Sequence, residues 1–348
     1  MHSTPKSTSS TSPSSSGDGA DATVADIGEI ALVERVVEAC GGPTAAGPHV
    51  AETLPIVGAG DDAAVIPAPD ARVVVTTDMA VEGRHFRTDW SDPEDIGHRV
   101  AAANLADVAA MGARPTGLVV ALALPGSTSV AWVRSLMSGI VEEAASVGSR
   151  VIGGDITAGD SIVISISALG DLAGREPVLR SGVEEGDVIA VAGRLGWAAA
   201  GLAVLGRGFR SPRALVDAYR RPAPPYAAAR AAAEAGAHAL MDISDGLLID
   251  AQRMARASGV GISLDSAVLP VPEPLAAAAS AYNLDPLQWI LGGGDDHAFL
   301  AAFPPASSLP EDFLVIGTAI PAEDSAQGVV LVDGRLPEVP AGFEHFRR

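Results

Sequence analysis

Val57-Gly58-Ala59-Gly60-Asp61-Asp62-Ala63-Ala64-Val65-Ile66 places two adjacent carboxylates between a glycine-broken loop and an apolar run. Two readings compete for it. The spacing Gly58-x-Gly60-x-x-Ala63, with Asp78 further on, has the outline of a dinucleotide-binding fingerprint, but that fold needs a helix directly after the glycines. Here the glycines lead into Asp61, Asp62, a strand-like run and two prolines, Pro67 and Pro69. Carboxylates at a helix start would also repel a pyrophosphate. The stretch therefore reads as an acidic loop at a strand end.

The same combination returns along the chain. Thr76-Thr77-Asp78, Gly153-Gly154-Asp155, Asp242-Ile243-Ser244-Asp245-Gly246 and Gly292-Gly293-Gly294-Asp295-Asp296 each set acids beside small residues or hydroxyls after an apolar run. Aspartates on such loops offer the hard oxygens that Mg²⁺ prefers, and glycines let phosphate approach the backbone. Any one of them is equally at home in a solvated turn. Asp107 is different, because Asn104 and Asp107 are the only polar side chains from Ala101 to Gly112 and lie three apart, on one helix face. A buried carboxylate must be paired, hydrogen-bonded or metal-bound.

Composition narrows the chemistry. The 348 residues carry a net charge of −20, which excludes nucleic-acid backbones and anionic membranes as partners. Lys6 is the only lysine, so neither a P-loop nor a Schiff-base enzyme can exist here. Cys40 is the only cysteine, which removes internal disulfides and thiolate zinc sites. No Gly-x-Ser-x-Gly elbow, Cys/His pairing or His-rich zinc spacing occurs. What remains is phosphoryl transfer, which needs positioning and metal ions and no side-chain nucleophile. With neither a long apolar span nor a signal-type leader in view, the expected location is cytoplasmic.

The expected fold class is α+β, in two units behind a Ser/Thr/Pro tail over 1–23 that cannot offset its ordering entropy. In the first unit, 24–173, helical spacing runs from Ile27 to Val37, and short β-branched runs predict strands at 63–66 and 73–75. A helix apolar all round follows over 95–111, then a strand over 117–124 and an amphipathic helix over 130–147. Strands at 151–152 and 161–169 complete a sheet covered by helices on one side. The second unit, 174–348, is a mixed α+β domain. It is expected to hold strands at 188–191, 239–243, 261–264, 298–302, 313–317 and 329–332, with helices after Gly196 and over 226–235, 246–257 and 274–282.

Taken together these motifs resemble the thiamine-monophosphate kinase family, within the ATP-binding superfamily that includes aminoimidazole ribonucleotide synthetase and selenophosphate synthetase. The resemblance rests on Gly28-Glu29-Ile30-Ala31-Leu32, Gly60-Asp61-Asp62-Ala63-Ala64-Val65, Thr76-Thr77-Asp78 with Gly83-Arg84-His85-Phe86, Asn104 to Gly112, Gly153-Gly154-Asp155, Asp242 to Gly246 and Gly342-Phe343-Glu344-His345-Phe346. It implies transfer of the ATP γ-phosphoryl group to thiamine monophosphate. It implies several Mg²⁺ ions on Asp62, Thr76, Thr77, Asp78, Asp107, Asp155, Asp242 and Asp245, and ATP contacts at Gly154, Asp155, Arg180 and Ser244. For the acceptor it points to His85, Asp295 and Phe343. It also implies a homodimer whose N-terminal sheets pair into a barrel. The family usually reads Gly-Gly-Glu-Asp-Tyr where this chain has Gly293-Gly294-Asp295-Asp296-His297, and asparagine is common where Arg84 stands.

Two other readings stay open on the residues. One is an enzyme of the same superfamily that uses ATP on a different acceptor, such as an aminoimidazole ribonucleotide synthetase-like or hydrogenase-maturation-like protein. The other is a catalytically silent nucleotide-binding protein.

Overall fold

The computed structural model describes residues 22–40, 63–305, 307–322, 328–338 and 342. Asp61, Asp62, Phe343 and nearly all of the 1–23 tail lie outside these. The first unit contains α1 (Val24–Ala39), β1 (Val74–Val81), α2 (Pro93–Ala110), β2 (Arg114–Leu124), α3 (Val130–Ser146), β3 (Val151–Ala158) and β4 (Val163–Asp171). Its sheet has the order β1-β4-β2-β3, antiparallel except for the β2–β3 pair. Strand alternation sends Leu118, Val120, Leu122, Ile164, Ile166 and Ala168 into a core shared with the three helices. The opposite face carries Val75 and Met79, 69% and 60% exposed.

The second unit contains β5 (Val188–Ala192), α4 (Trp197–Gly206), α5 (Arg213–Arg220), α6 (Tyr226–Glu234), β6 (Ala239–Ile243), α7 (Leu247–Ser258), β7 (Gly261–Leu264), α8 (Glu273–Ala281), α9 (Leu287–Gly292), β8 (Ala298–Phe303), β9 (Leu314–Ile320) and β10 (Val330–Val332). Its sheet runs β10-β7-β9-β5-β8-β6. One face packs on a large core that includes α4, α5, α7 and α8. The other is lined by Ala190, Ala192, Leu240, Phe299 and Phe303, and meets α6 together with Ala106, Ala109 and Ala110 of α2.

That last contact explains the sequence of α2. The helix carries apolar residues on more than one side because it is a layer shared by both units, one side in the first core and its alanine side against the second sheet. Its other neighbour is equally close: a Cβ on Gly97 would stand 2.1 Å from the Leu136 carbonyl oxygen, and one on Gly139 would stand 2.0 Å from that of Glu94. Only glycine lets α2 and α3 cross at that separation. Polar ties reinforce the junction. Arg221 pairs with Glu94 at 2.7 Å and with Asp95, Arg220 donates to the Trp90 carbonyl at 2.7 Å, and the Tyr226 hydroxyl donates to Glu143 at 2.6 Å.

Several expected boundaries move. Residues 63–66 contribute only a bridging position at Val65, since Pro67 and Pro69 lack the N–H groups a continuing ladder needs. Thr76-Thr77-Asp78 and Gly153-Gly154-Asp155, expected on loops after short strands, lie inside β1 and β3. Helices α5 and α9 were not anticipated, being only 8 and 6 residues long and close to prolines.

Candidate active site

The first wall of the site is built from β1 and α2. Alternation along β1 turns Thr76 and Asp78 toward α2, and Thr77 toward the opposite face, where its hydroxyl donates to the Ile166 carbonyl at 3.0 Å. Asn104 of α2 accepts a hydrogen bond from the Asp78 backbone N–H at 3.1 Å and donates to the Val100 carbonyl at 2.8 Å. One turn on, Asp107 accepts from the Thr76 hydroxyl at 2.8 Å. The Asn/Asp pair thus locks strand to helix and leaves both carboxylates facing the second unit.

The second wall comes from the end of β6. Asp242 is buried and lies 3.1 Å from Nδ1 of His297. The chain then turns through Ser244-Asp245-Gly246 into α7, and the turn is shaped by Asp250. One Asp250 oxygen accepts from the N–H groups of Asp245 and Gly246 at 2.9 and 3.1 Å, and the other pairs with Arg253 at 2.7 Å. Arg253 also holds the Asp245 carboxylate at 2.5 Å. Asp250 is fully buried, and its carboxyl is pushed up to about 6 by that burial, partly opposed by the Asp245 N–H.

The glycine run after α9 packs backbone to backbone on this turn. Asp295 N–H donates to the Ser244 carbonyl at 2.8 Å and His297 N–H to that of Ile243 at 3.2 Å. A Cβ on Gly294 would stand 2.3 Å from the Ser244 carbonyl oxygen, so no side chain fits between the loops. Gly342, at φ +154, sits on the same turn with its missing Cβ 2.5 Å from the Asp245 carbonyl oxygen. Gly342 itself lines the cleft. Behind the run, buried Asp296 accepts from the Ala198 N–H at 2.9 Å and so caps α4.

Between the walls lies a cleft of about 790 Å³, lined among others by Asp78, Asn104, Asp107, Asp242, Ser244 and Asp245. Its acids perturb one another. Burial first, then the neighbouring Asp242 and Asp78, push the Asp107 carboxyl up to about 7, against the Thr76 hydrogen bond. Asp78 is raised by burial and by Asp242 and Asp245, opposed by His297. His297 is also raised: burial disfavours its charge, but the Asp242 hydrogen bond together with the charges of Asp242 and Asp295 outweighs this. Among the described residues no three acidic or imidazole side chains already surround a single point. The donor set nevertheless fits a hard divalent cation, being aspartate and hydroxyl oxygens whose mutual repulsion such an ion offsets.

His85, Arg99, Tyr219 and Asp295 also line the cleft. His85 follows a tight turn at Gly83, φ +77, and its Nδ1 accepts from the Val81 N–H at 3.0 Å, which places the proton of the neutral ring on Nε2. Asp295 pairs with Arg99 at 2.7 Å across the two units. A guanidinium stacks on each of two lining rings, Arg87 lying 4.4 Å over Trp90 and Arg99 4.3 Å over Tyr219.

Of the residues singled out from sequence, the cleft therefore gathers Asp78, His85, Asp107, Asp242, Ser244, Asp245 and Asp295, with Thr76 bonded to Asp107. It does not gather Thr77, Gly154, Asp155 or Arg180. Asp155 is exposed on β3, the sheet edge opposite β1, so roughly 14 Å, three strand spacings, separate the two strands. Arg180 is exposed beyond the junction. Sequence reasoning overlooked Asp250, Arg253 and Arg99, and quoted Asp296 and His297 without giving either a role. An acid in the first turn of the helix after Asp245-Gly246 was the available signal for Asp250; Arg99 had none, since its partners are distant in the chain.

Two units of this architecture, with an acidic cleft between them, define a class. The family described as AIR synthase related protein matches in both halves, its N-terminal domain over residues 60–172 and its C-terminal domain over 184–333. The thiamine-monophosphate kinase of Mycobacterium tuberculosis is 42% identical over 325 residues, 93% of either chain. That of Corynebacterium glutamicum is 38% identical over 333 residues, 93% of this chain and 95% of the other. A solved structure of AaThiL complexed with AMPPCP and TMP superposes with a TM-score of 0.71 at 29% identity, covering 92% of this chain and 98% of that one. The chain belongs to the thiamine-monophosphate kinase family.

Proposed function

We propose that this protein transfers the γ-phosphoryl group of ATP to thiamine monophosphate in the cleft between its two units. The observation that carries the reading is the convergence of Asp78 and Asp107 from one unit with Asp242, Ser244 and Asp245 from the other. An oxygen of the acceptor phosphate bonds to the γ-phosphorus as the bond to the β,γ-bridging oxygen breaks, and ADP departs with the electron pair. The acceptor is already an oxyanion, so no side-chain base is required.

Asp78, Asp107 and Asp242 would hold Mg²⁺, with Thr76 and Asp245 beside them and Asp62 added on resemblance alone; water and phosphate oxygens complete such shells. When bound, the ion withdraws charge from the transferred group and aligns attacking and leaving oxygens. Ser244 meets ATP, while His85 and Asp295 receive the acceptor, with Phe343 added on resemblance alone. Asp155, Gly154, Arg180 and Thr77 belong to the set on resemblance alone.

Dimerisation through the open sheet face that carries Val75 and Met79, the domain limits 24–173 and 174–348, and a cytoplasmic location complete the proposal. No helix among the described residues is long and apolar enough to cross a membrane. The test is incubation of the purified protein with ATP, Mg²⁺ and thiamine monophosphate. Stoichiometric ADP and thiamine diphosphate support the reading; ADP released independently of the acceptor, or no ADP, overturns it.

A further inference from the structure

Asp295 is an unusual place for a recognition carboxylate. It is a non-glycine residue at φ +69, a conformation that costs about 1 kcal/mol or more and persists only where its surroundings impose it. Its backbone is pinned by the Ser244 carbonyl, but its carboxylate is directed by Arg99 of α2, on the other unit. Arg99 is itself immobilised. Its side chain is 11% exposed, its guanidinium donates to the Tyr219 carbonyl, and the plane lies over the Tyr219 ring. One Asp295 oxygen, Oδ2, is occupied by Arg99. That pairing leaves Oδ1 to accept from another donor, and the Asp295 side chain, 48% exposed, lines the cleft.

We infer that Arg99 is a specificity-determining positioning residue: it takes one Asp295 oxygen and aims the other at a hydrogen-bond donor on the acceptor, the amino group of a heteroaromatic ring. The inference rests on the proposed function and adds the group through which the acceptor is told from other phosphate esters. A carboxylate oxygen can only accept, so a ring bearing a carbonyl where the amino group stands meets lone pair against lone pair.

The experiment compares wild type, Arg99→Gln, Arg99→Lys, Asp295→Asn and the double variant Arg99→Gln/Asp295→Asn. Substrates are thiamine monophosphate and its analogue with a carbonyl in place of the ring amino group. Arg99→Gln is expected to raise the acceptor KM roughly tenfold, with kcat and the ATP KM within about twofold, and to shrink the discrimination against the carbonyl analogue. Arg99→Lys keeps a charge beside Asp295 and restores part of the loss, and the double variant is no worse than the worse single one. Additive losses in the double variant, or unchanged discrimination in Arg99→Gln, would overturn the inference. So would a fall in kcat with a raised ATP KM, which marks a structural role. Wild type inactive on thiamine monophosphate refutes the functional reading itself, and this inference with it.

Discussion

At the scale of single residues, function and stability pull in opposite directions at Asp107. A carboxyl raised to about 7 by burial and by Asp242 and Asp78 destabilises the fold when ionised. Its folded value lies above the unfolded one, so the cost is absent below the ordinary carboxylate range and grows as pH climbs toward 7. Asp107→Asn should therefore lower kcat by roughly 10²-fold or more while melting no lower than wild type at pH 7 without metal or nucleotide, measured by steady-state kinetics and calorimetry. A variant that loses activity by unfolding would contradict this. The residue was legible because a lone Asn104/Asp107 pair on an apolar helix has few explanations. Asp250, Arg253 and Arg99 were not, because their partners are fixed by how loops and units meet, and no local spacing encodes that.

Among elements, the turn after β6 and the glycine run after α9 act as one piece. The repeated small-plus-acid pattern revealed both segments, but not that their backbones touch. Nor did it separate Thr76 and Asp78 from Thr77, which requires knowing that all three lie within a strand. Reading Thr76-Thr77-Asp78 as a loop puts every side chain within reach of one ion; the pleat of β1 divides them between two faces. The close approach of the loops is directly testable. Gly294→Ala places a methyl 2.3 Å from the Ser244 carbonyl oxygen, and backbone has to yield. The variant should lose about 1–3 kcal/mol in chemical denaturation and bind acceptor more weakly, since the displaced segment carries Asp295.

For the whole molecule, the sequence revealed two α+β units and most of their strands, because β-branched runs between Gly, Pro and Asp keep their meaning in any fold. It did not reveal that α2 is a layer common to both, although a helix with apolar residues on more than one side demanded a second partner. The packing of α2 on α3 and the open sheet face give two further expectations. His98 of α2 lies 2.8 Å from Glu143 of α3 and is raised chiefly by that hydrogen bond, so its stabilisation is complete below about 6.5 and fades as pH rises through the folded value. Melting temperature should fall from pH 6 to pH 8 in wild type, and less so in His98→Gln. If the open sheet face joins two copies, Met79→Glu should convert a dimer to a monomer in sedimentation while leaving the fold intact by circular dichroism; an unchanged sedimentation coefficient would place the contact elsewhere.

Among the described residues the cation of every ion pair between the units is arginine. A guanidinium keeps its proton beyond about pH 12. The phenol that joins them, Tyr226, is held above its ordinary range by burial and by Glu143. Neither these arginines nor Tyr226 gives up its proton where lysine-based contacts let go, so these ties between the halves should outlast moderate alkali, and base-induced unfolding has to begin somewhere else.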